Sequence, residues 1–135
     1  MCIAPPYVPP PISFFAVAHA EEIATLDSPQ DREAYARLKA KEYEINEEAF
    51  VKTLSCESMG FSWNDQSLVP DPVGPNGKEN SWGIAQFNLP SDLKTFSGDE
   101  ITKEIALDPK QAIDASAFNF SIGNQRRWSC FNKYY

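Results

Sequence analysis

Residues 47–60 have the sequence EEAFVKTLSCESMG, which is typical of a buried helix that ends at a turn. Phe50, Leu54 and Glu57 have the spacing i, i+4 and i+7, so they lie on one face of the predicted helix. That face is apolar except for the carboxylate of Glu57, which is costly there unless it is paired, protonated or used in chemistry. Desolvation raises the pKa of such a group, as a general acid requires; the alternative is an ordinary solvated glutamate at a helix end.

The composition indicates one folded domain and excludes several classes of function. The chain has 135 residues, of which 42% are hydrophobic and 13% aromatic, enough for a modest core. Its net charge of −7 disfavours nucleic acid as a partner, because phosphate binding needs a basic surface. No apolar run approaches the ~20 residues of a membrane-spanning helix. The single histidine, His19, disfavours catalytic triads and histidine-based zinc sites, so we predict no metal and no cofactor.

Residues 1–27 are predicted to lie outside the domain, which then comprises residues 28–135. Five of the first eleven residues are proline, which prevents regular helix or strand. The apolar run 12–20 ends in Ala-x-Ala, the form of a signal-peptidase site, although no basic segment precedes it. The segment is therefore a proline-rich leader, a truncated signal segment or a tether. We expect export to the periplasm, the cell surface or the extracellular medium.

Capping residues divide the remaining chain into short helices. Ser28, followed by proline, begins an outer helix that is predicted to reach residue 43, and Asn46 begins the helix of Glu57. Further helices are predicted over 91–96, from Asp99 or Thr102 to residue 107, and from Asp108 onward. Between them, Pro75-Asn76-Gly77 is a turn around which at most a small hairpin fits.

Two short motifs enclose that proline- and glycine-bearing loop. Glu57-Ser58 is followed, three residues on, by Phe61, and the later motif is Ser81-x-Gly83-Ile84-x-Gln86. This order resembles soluble lytic transglycosylases and goose-type lysozymes, over about residues 46–90. The resemblance implies a mainly α (α+β, lysozyme-like) fold, in which a helical domain has a loop or small hairpin as one wall of a substrate cleft.

The resemblance also implies a substrate and a site. Glu57 is expected to act as the catalytic acid and base in cleaving peptidoglycan glycan strands between N-acetylmuramic acid and N-acetylglucosamine. The substrate-binding residues are expected to be Phe61, Ser81, Trp82, Gln86 and Tyr134. Tyr134 is placed there as a counterpart of the family's cleft tyrosine, since the family's Ala-Tyr-Asn-x-Gly motif is missing. We expect the protein to be a monomer.

A second catalytic carboxylate is not evident in the sequence. Asp65, Asp71 and Asp99 are candidates, but each is more typical of a loop or a helix cap. A single glutamate favours the transglycosylase reaction, which gives a 1,6-anhydro product, over hydrolysis. A muramidase (lysozyme), a glycan-binding module without activity and a structural or secretion-associated domain are the alternatives.

Two interpretations are open for the cysteines, and two for the tryptophans. We favour a disulfide between Cys56 and Cys130, with Cys2 left over, because export to an oxidising compartment permits it. The alternative is three reduced thiols, two of which fill space in the core. Trp63 and Trp82 are equally compatible with stacking on sugar rings and with core packing, whereas Trp128 is expected to pack in the core.

Overall fold

A computed structural model describes residues 25–135, and this part of the chain is mainly helical with one small antiparallel sheet. The prediction of a mainly α chain is thus confirmed. None of the helices within this range is long and apolar enough to cross a membrane. The elements are α1 (Pro29–Glu42), α2 (Glu47–Glu57), β1 (Ser81–Trp82), β2 (Phe87–Asn88), α3 (Lys103–Leu107), α4 (Pro109–Ser121) and α5 (Ser129–Tyr134), with 3₁₀ turns at Pro75–Gly77 and Gln125–Arg127.

Four of the predicted helix starts are confirmed by their N-terminal caps. A side-chain oxygen of Ser28, Asn46, Thr102 and Asp108 accepts a backbone N–H two or three residues later, at 2.9 to 3.3 Å. These bonds satisfy amide groups that lack a partner in the first helical turn. Helix α1 ends at Glu42, one residue before the predicted end.

The core lies where α2 meets α4 and the C-terminal segment. Phe50 and Leu54 on α2 are completely buried, as the i, i+4 spacing predicts. The Phe50 ring packs edge-on against Phe120 of α4 at a centroid distance of 5.0 Å, and Phe120 lies 5.1 Å from Trp128. Trp128 is buried, as expected. This packing fixes the direction of α2 and hence the position of its last residue, Glu57.

The start of the domain lies earlier than predicted. Leu26, which was assigned to the leader or tether, is only 1% exposed and belongs to the hydrophobic core. Its carbonyl oxygen accepts a hydrogen bond of 2.7 Å from the Arg32 guanidinium. The predicted signal-peptidase motif, His19 and Cys2 lie outside the described residues.

The predicted helix over 91–96 is wrong. The Ser91 hydroxyl accepts the N–H of Leu93 at 3.1 Å, which closes a local turn rather than capping a helix. Thr95 then donates its N–H to the carbonyl of Asp99 at 2.9 Å, and the Lys94 carbonyl accepts from the side chain of Asn119 at 2.9 Å. These partners satisfy the backbone without helical bonds.

The paired strands form a tight hairpin later than the predicted turn. Ser81 pairs with Asn88 and Trp82 with Phe87, so the connecting turn begins at Gly83. Gly83 has a φ of +82°, and a Cβ there would lie 1.7 Å from the carbonyl oxygen of Ala106. Only glycine permits this approach, which holds the hairpin against α3. The turn predicted at residues 75–77 is a 3₁₀ turn, flanked by a single antiparallel bridge between residues 70 and 78.

Candidate functional site: a cleft around Glu57

Glu57 lies on the wall of a cleft of about 530 Å³. One side of the cleft, here called the helical wall, consists of the end of α2 and residues 127–130. The other side, the loop wall, comes from residues 59–93 and includes the β-hairpin. Because Phe50 and Leu54 hold one face of α2 in the core, Glu57 on the same face is brought to the edge of the cleft.

The carboxylate of Glu57 is held by hydrogen bonds rather than by a cation. Its Oε1 accepts the backbone N–H of Cys130 at 3.0 Å and the hydroxyl of Ser129 at 3.3 Å. Between residues 25 and 135, no salt bridge includes Glu57. Arg127 lines the same cleft, but its guanidinium binds Asp92 with contacts of 2.5 and 3.3 Å. No cation from the described part of the chain therefore neutralises the carboxylate.

Burial raises the pKa of Glu57 above its ordinary value of 4.5. The hydrogen bonds from Cys130 and Ser129 act in the opposite direction, since they stabilise the charged form. The negative charge of Glu79 raises the pKa of Glu57 further. The net rise keeps more of Glu57 protonated towards neutral pH than an exposed glutamate would be, and a proton donor needs this property.

Glu79 is a second carboxylate in the cleft that the sequence analysis missed. Its Oε2 accepts the Ser67 hydroxyl at 3.4 Å, and its N–H donates to the carbonyl of Val69 at 2.9 Å. One signal was available: in an extended segment alternate side chains share a face, so Glu79 falls on the same side as Ser81. The carboxylates that were considered instead do not line the cleft, namely Asp65, Asp71 and Asp99.

Ser81 and Gln86 also line the cleft, as part of the loop wall. The Ser81 hydroxyl accepts the side-chain amide of Asn88 at 3.2 Å. The Gln86 amide donates to the carbonyls of Asp65 at 2.9 Å and Gly83 at 2.8 Å, which ties the loop to the hairpin. Neither side chain forms a hydrogen bond with Glu57, so their contribution to the glutamate is to shape the facing wall.

Three residues that were expected to bind substrate lie outside the cleft. Phe61 is 1% exposed, because positive φ angles at Met59 and Phe61 turn the chain inward after α2. Trp82 is 8% exposed, donates to Asn80 at 2.5 Å and has the Lys103 ammonium 3.9 Å above its ring. The third residue, Tyr134, is on α5.

Tyr134 is exposed near the end of α5 and does not line the cleft. The ammonium of Lys52 lies 4.1 Å from the centre of its ring. Since Lys52 lies on the exposed side of α2, this contact directs the tyrosine away from Glu57. The expectation that Tyr134 replaces the family's cleft tyrosine is therefore not met by the geometry.

Other apolar side chains form the rim instead. Trp63 lines the cleft half-buried, and its indole N–H donates to the carbonyl of Gln66 at 2.9 Å. Met59, Leu68 and Val69 also line it, and each is more than half exposed. The cleft thus combines carboxylates, hydroxyls and an amide with an apolar edge, a mixture suited to a ligand with both polar and apolar faces.

The predicted disulfide is confirmed: Cys56 and Cys130 are bonded, with their Cα atoms 6.0 Å apart. Both cysteines line the cleft, directly beside Glu57. The bond joins the end of α2 to α5 across a sequence separation of 74 residues. In the part of the chain that the structure describes, no cluster of three or more His, Cys, Asp or Glu side chains could hold a metal ion.

Comparison of the chain with protein-family models, curated proteins and solved structures gave no match. The resemblance to transglycosylases therefore depends on the motif residues and on where they lie. Glu57 comes from the first motif, and Ser81 and Gln86 come from the second. These three side chains line one cleft, although Glu57 and Ser81 are distant in the sequence.

Proposed function

We propose that this protein cleaves the glycan strands of peptidoglycan between N-acetylmuramic acid and N-acetylglucosamine, as a lytic transglycosylase. The observation that carries the proposal is the carboxylate of Glu57, which lies partly buried on the wall of an open cleft and has no cationic partner among residues 25–135. A salt bridge with Arg126 or Arg127 would have favoured a structural role. Instead, Arg126 donates to Asn132 at 3.1 Å and Arg127 binds Asp92.

In the proposed reaction, Glu57 acts first as a proton donor and then as a proton acceptor. Protonated Glu57 gives its proton to the glycosidic oxygen as the C1–O bond breaks, leaving positive charge on the sugar ring. The resulting carboxylate then accepts the proton of the sugar's 6-hydroxyl while that oxygen bonds to C1, which gives the 1,6-anhydro product and restores the acid. The N–H of Cys130 and the hydroxyl of Ser129 stabilise the intermediate carboxylate.

The architecture supports a lysozyme-like assignment. A helix presents the acid on one side of the cleft, and a loop with a small hairpin forms the other, as the resemblance implies. The elongated substrate would lie between these walls, with its sugar faces against Trp63 and the apolar rim. The disulfide is compatible with export, since such bonds persist in oxidising compartments.

Hydrolysis is the second candidate, and Glu79 favours it. A glycosidase that hydrolyses its substrate usually needs a second carboxylate, which activates a water molecule. Glu79 lines the same cleft and is close enough for its charge to raise the pKa of Glu57. In that reaction, Glu57 would again protonate the leaving oxygen, and the water that Glu79 deprotonates would attack C1.

Product analysis separates these reactions. Purified peptidoglycan would be digested with wild type, Glu57→Gln, Glu79→Gln and the control Glu104→Gln, an exposed glutamate on α3. We expect 1,6-anhydro-muropeptides from wild type, Glu79→Gln and the control, and none from Glu57→Gln. Reducing ends that disappear in Glu79→Gln would establish the hydrolase instead. Binding to peptidoglycan without any product would refute catalysis and favour the glycan-binding module.

A further inference from the structure

We propose that residues 129 and 130 form a clamp that positions Glu57 only while the Cys56–Cys130 disulfide is closed. Cleavage of glycan would then depend on the redox state of the protein. The catalytic consequence rests on the proposed function above. The clamp itself is a physical arrangement, so it can be tested whether or not the protein is an enzyme.

The clamp joins the same two segments in two ways. Cys56 precedes Glu57 on α2, and Cys130 is both its disulfide partner and the donor of a 3.0 Å hydrogen bond to Glu57 Oε1. The hydroxyl of Ser129 binds the same oxygen at 3.3 Å. The disulfide therefore connects the neighbour of the carboxylate to the segment that orients the carboxylate. Opening the bond removes the covalent link that keeps these donors in place.

Beyond Trp128, the C-terminal segment is held mainly by contacts at the surface, such as the hydrogen bonds between Arg126 and Asn132 and the Lys52 ammonium 4.1 Å from the Tyr134 ring. Trp128 is buried, and its indole N–H donates to the carbonyl of Ala85 at 2.9 Å, so the chain is anchored up to that point. Helix α5 is only six residues long and has no side-chain cap. A helix this short is only marginally stable without tertiary contacts. The ring of Phe131 rests on Phe120 at 5.7 Å, while Asn132, Lys133 and Tyr134 are exposed. We expect reduction to release residues 129–135 and leave the domain folded.

The bond is placed where a reductant can reach it. Both cysteines line the open cleft and are half-buried rather than enclosed in the core. A dithiol attacks one sulfur as a thiolate and forms a mixed disulfide, which its second thiolate resolves. Two electrons pass to the protein, which gains two thiols, and the reductant leaves as a disulfide. A reducing compartment would thus disengage the clamp, and an oxidising one would close it.

The clamp has an electrostatic signature. Hydrogen bonds from Ser129 and Cys130 stabilise the charged form of Glu57 and lower its pKa against the effect of burial. The other charged groups that line the cleft are Glu79 in the loop wall and Arg127, which is paired with Asp92. Neither is altered by removing the Ser129 hydroxyl. Ser129→Ala should therefore raise the pKa of Glu57 in the oxidised protein.

The test is an NMR titration of the Glu57 side-chain carboxyl carbon in oxidised and dithiothreitol-reduced protein. Wild type would be compared with Ser129→Ala and with Ser121→Ala, an exposed serine at the end of α4 whose hydroxyl binds Phe118. Among the oxidised proteins, we expect a raised pKa of Glu57 in Ser129→Ala and an unchanged one in Ser121→Ala. After reduction, Ser129→Ala and wild type should titrate alike, because the serine no longer reaches the carboxylate.

Kinetics on peptidoglycan provide the functional readout. Oxidised Ser129→Ala should lose about two- to tenfold in kcat with KM unchanged, the range for one ordinary hydrogen bond, since this bond is long and exposed. The alkaline limb of its pH–rate profile should shift to higher pH together with the pKa of Glu57, a shift that a purely structural defect would not cause. Reduced wild type should lose more than Ser129→Ala, since both donors leave.

Several results would overturn the proposal. An unchanged pKa of Glu57 in oxidised Ser129→Ala would show that the serine does not act on the carboxylate. An equal effect of Ser129→Ala before and after reduction would show that the disulfide does not hold the clamp. Unfolding of the whole domain on reduction, followed by the indole signal of Trp128, would contradict a local release. If the titrations follow expectation but wild type cleaves no glycan, the clamp stands and the proposed function fails.

Discussion

The two walls of the cleft are held by different kinds of interaction. The helical wall depends on apolar side chains spaced three or four residues apart, such as Phe50 and Leu54, and on one disulfide. The loop wall depends on polar side chains that bind distant backbone groups. Asn64, for example, donates to the carbonyl of Leu107 at 2.8 Å and accepts the N–H of Ile84 at 3.2 Å. Local periodicity specifies the first wall, whereas the second exists only once remote segments meet.

The largest expected effect is on the helical wall. Phe50→Ala removes a ring that is completely buried against Phe120, and the cavity left behind should cost about 3–5 kcal/mol of the free energy of unfolding. Urea denaturation followed by tryptophan fluorescence would measure this. Phe96→Ala is the matched control, because that ring is 72% exposed and its loss should cost less than about 1 kcal/mol. Equal losses in both variants would contradict the packing described here.

Gly83→Ala should break the loop wall with little direct effect on the helical wall. Its Cβ would lie 1.7 Å from the Ala106 carbonyl oxygen, so the hairpin must separate from α3. We expect a loss of about 2–4 kcal/mol, because backbone must move as well as adopt a positive φ. The control is Gly98→Ala, which has a φ of +86° but no atom within 4 Å of the added Cβ.

Gly98→Ala should cost only about 1 kcal/mol, the penalty of the left-handed conformation alone. Thermal unfolding of both variants would measure the difference. If the two substitutions cost the same, the contact between hairpin and α3 contributes nothing.

Asn64→Ala should have a smaller effect, again on the loop wall. It leaves the carbonyl of Leu107 and the N–H of buried Ile84 without their partner, at a cost of about 1–3 kcal/mol. Asn132→Ala is a suitable control, since its bonds to Arg126 are exposed and water can replace them. Chemical denaturation of both variants would rank them. A neutral Asn64→Ala would mean that the loop wall does not need these long-range bonds.

The smallest effect concerns stability against pH. The pKa of Glu57 is raised in the folded protein, so between the unfolded and folded pKa values the native state holds more protons, and stability falls as pH rises. Glu57→Gln has no such ionisation. The melting temperature of Glu57→Gln should therefore rise relative to that of wild type as the pH increases above the ordinary pKa of a glutamate, as differential scanning calorimetry would measure. The control Glu104→Gln should follow wild type, and a Glu57→Gln curve parallel to wild type would argue against a raised pKa.

The same contrast explains what the sequence could predict. Caps such as Ser28, Asn46 and Asp108 act on amides within three residues, so sequence alone located the starts of α1, α2 and α4. The face of α2 that carries Glu57 followed from spacing in the same way. The Cys56–Cys130 pairing was also predicted correctly, although it depended on an assumption about export rather than on local pattern.

The predictions that failed lie mostly in the loop wall or depend on it. Ser91 looks like a helix cap, but Asn119 and Asp99 supply long-range partners that keep its segment non-helical. Phe61 was expected beside the substrate, yet the positive φ angles after α2 turn it into the core. Glu79 was not predicted to line the cleft, because its position depends on how residues 66–81 fold back on themselves. Apart from the alternation that relates Glu79 to Ser81, none of these outcomes is encoded in local periodicity.

The most direct test of the central claim is the rate at which Glu57→Gln cleaves a defined peptidoglycan glycan fragment, relative to wild type. Glutamine has nearly the same shape but supplies no proton, so we expect kcat to fall by at least about 10²-fold while the fragment still binds. Glu104→Gln should retain the wild-type rate. Cleavage by Glu57→Gln at the wild-type rate would contradict the assignment of Glu57 as the acid in this cleft.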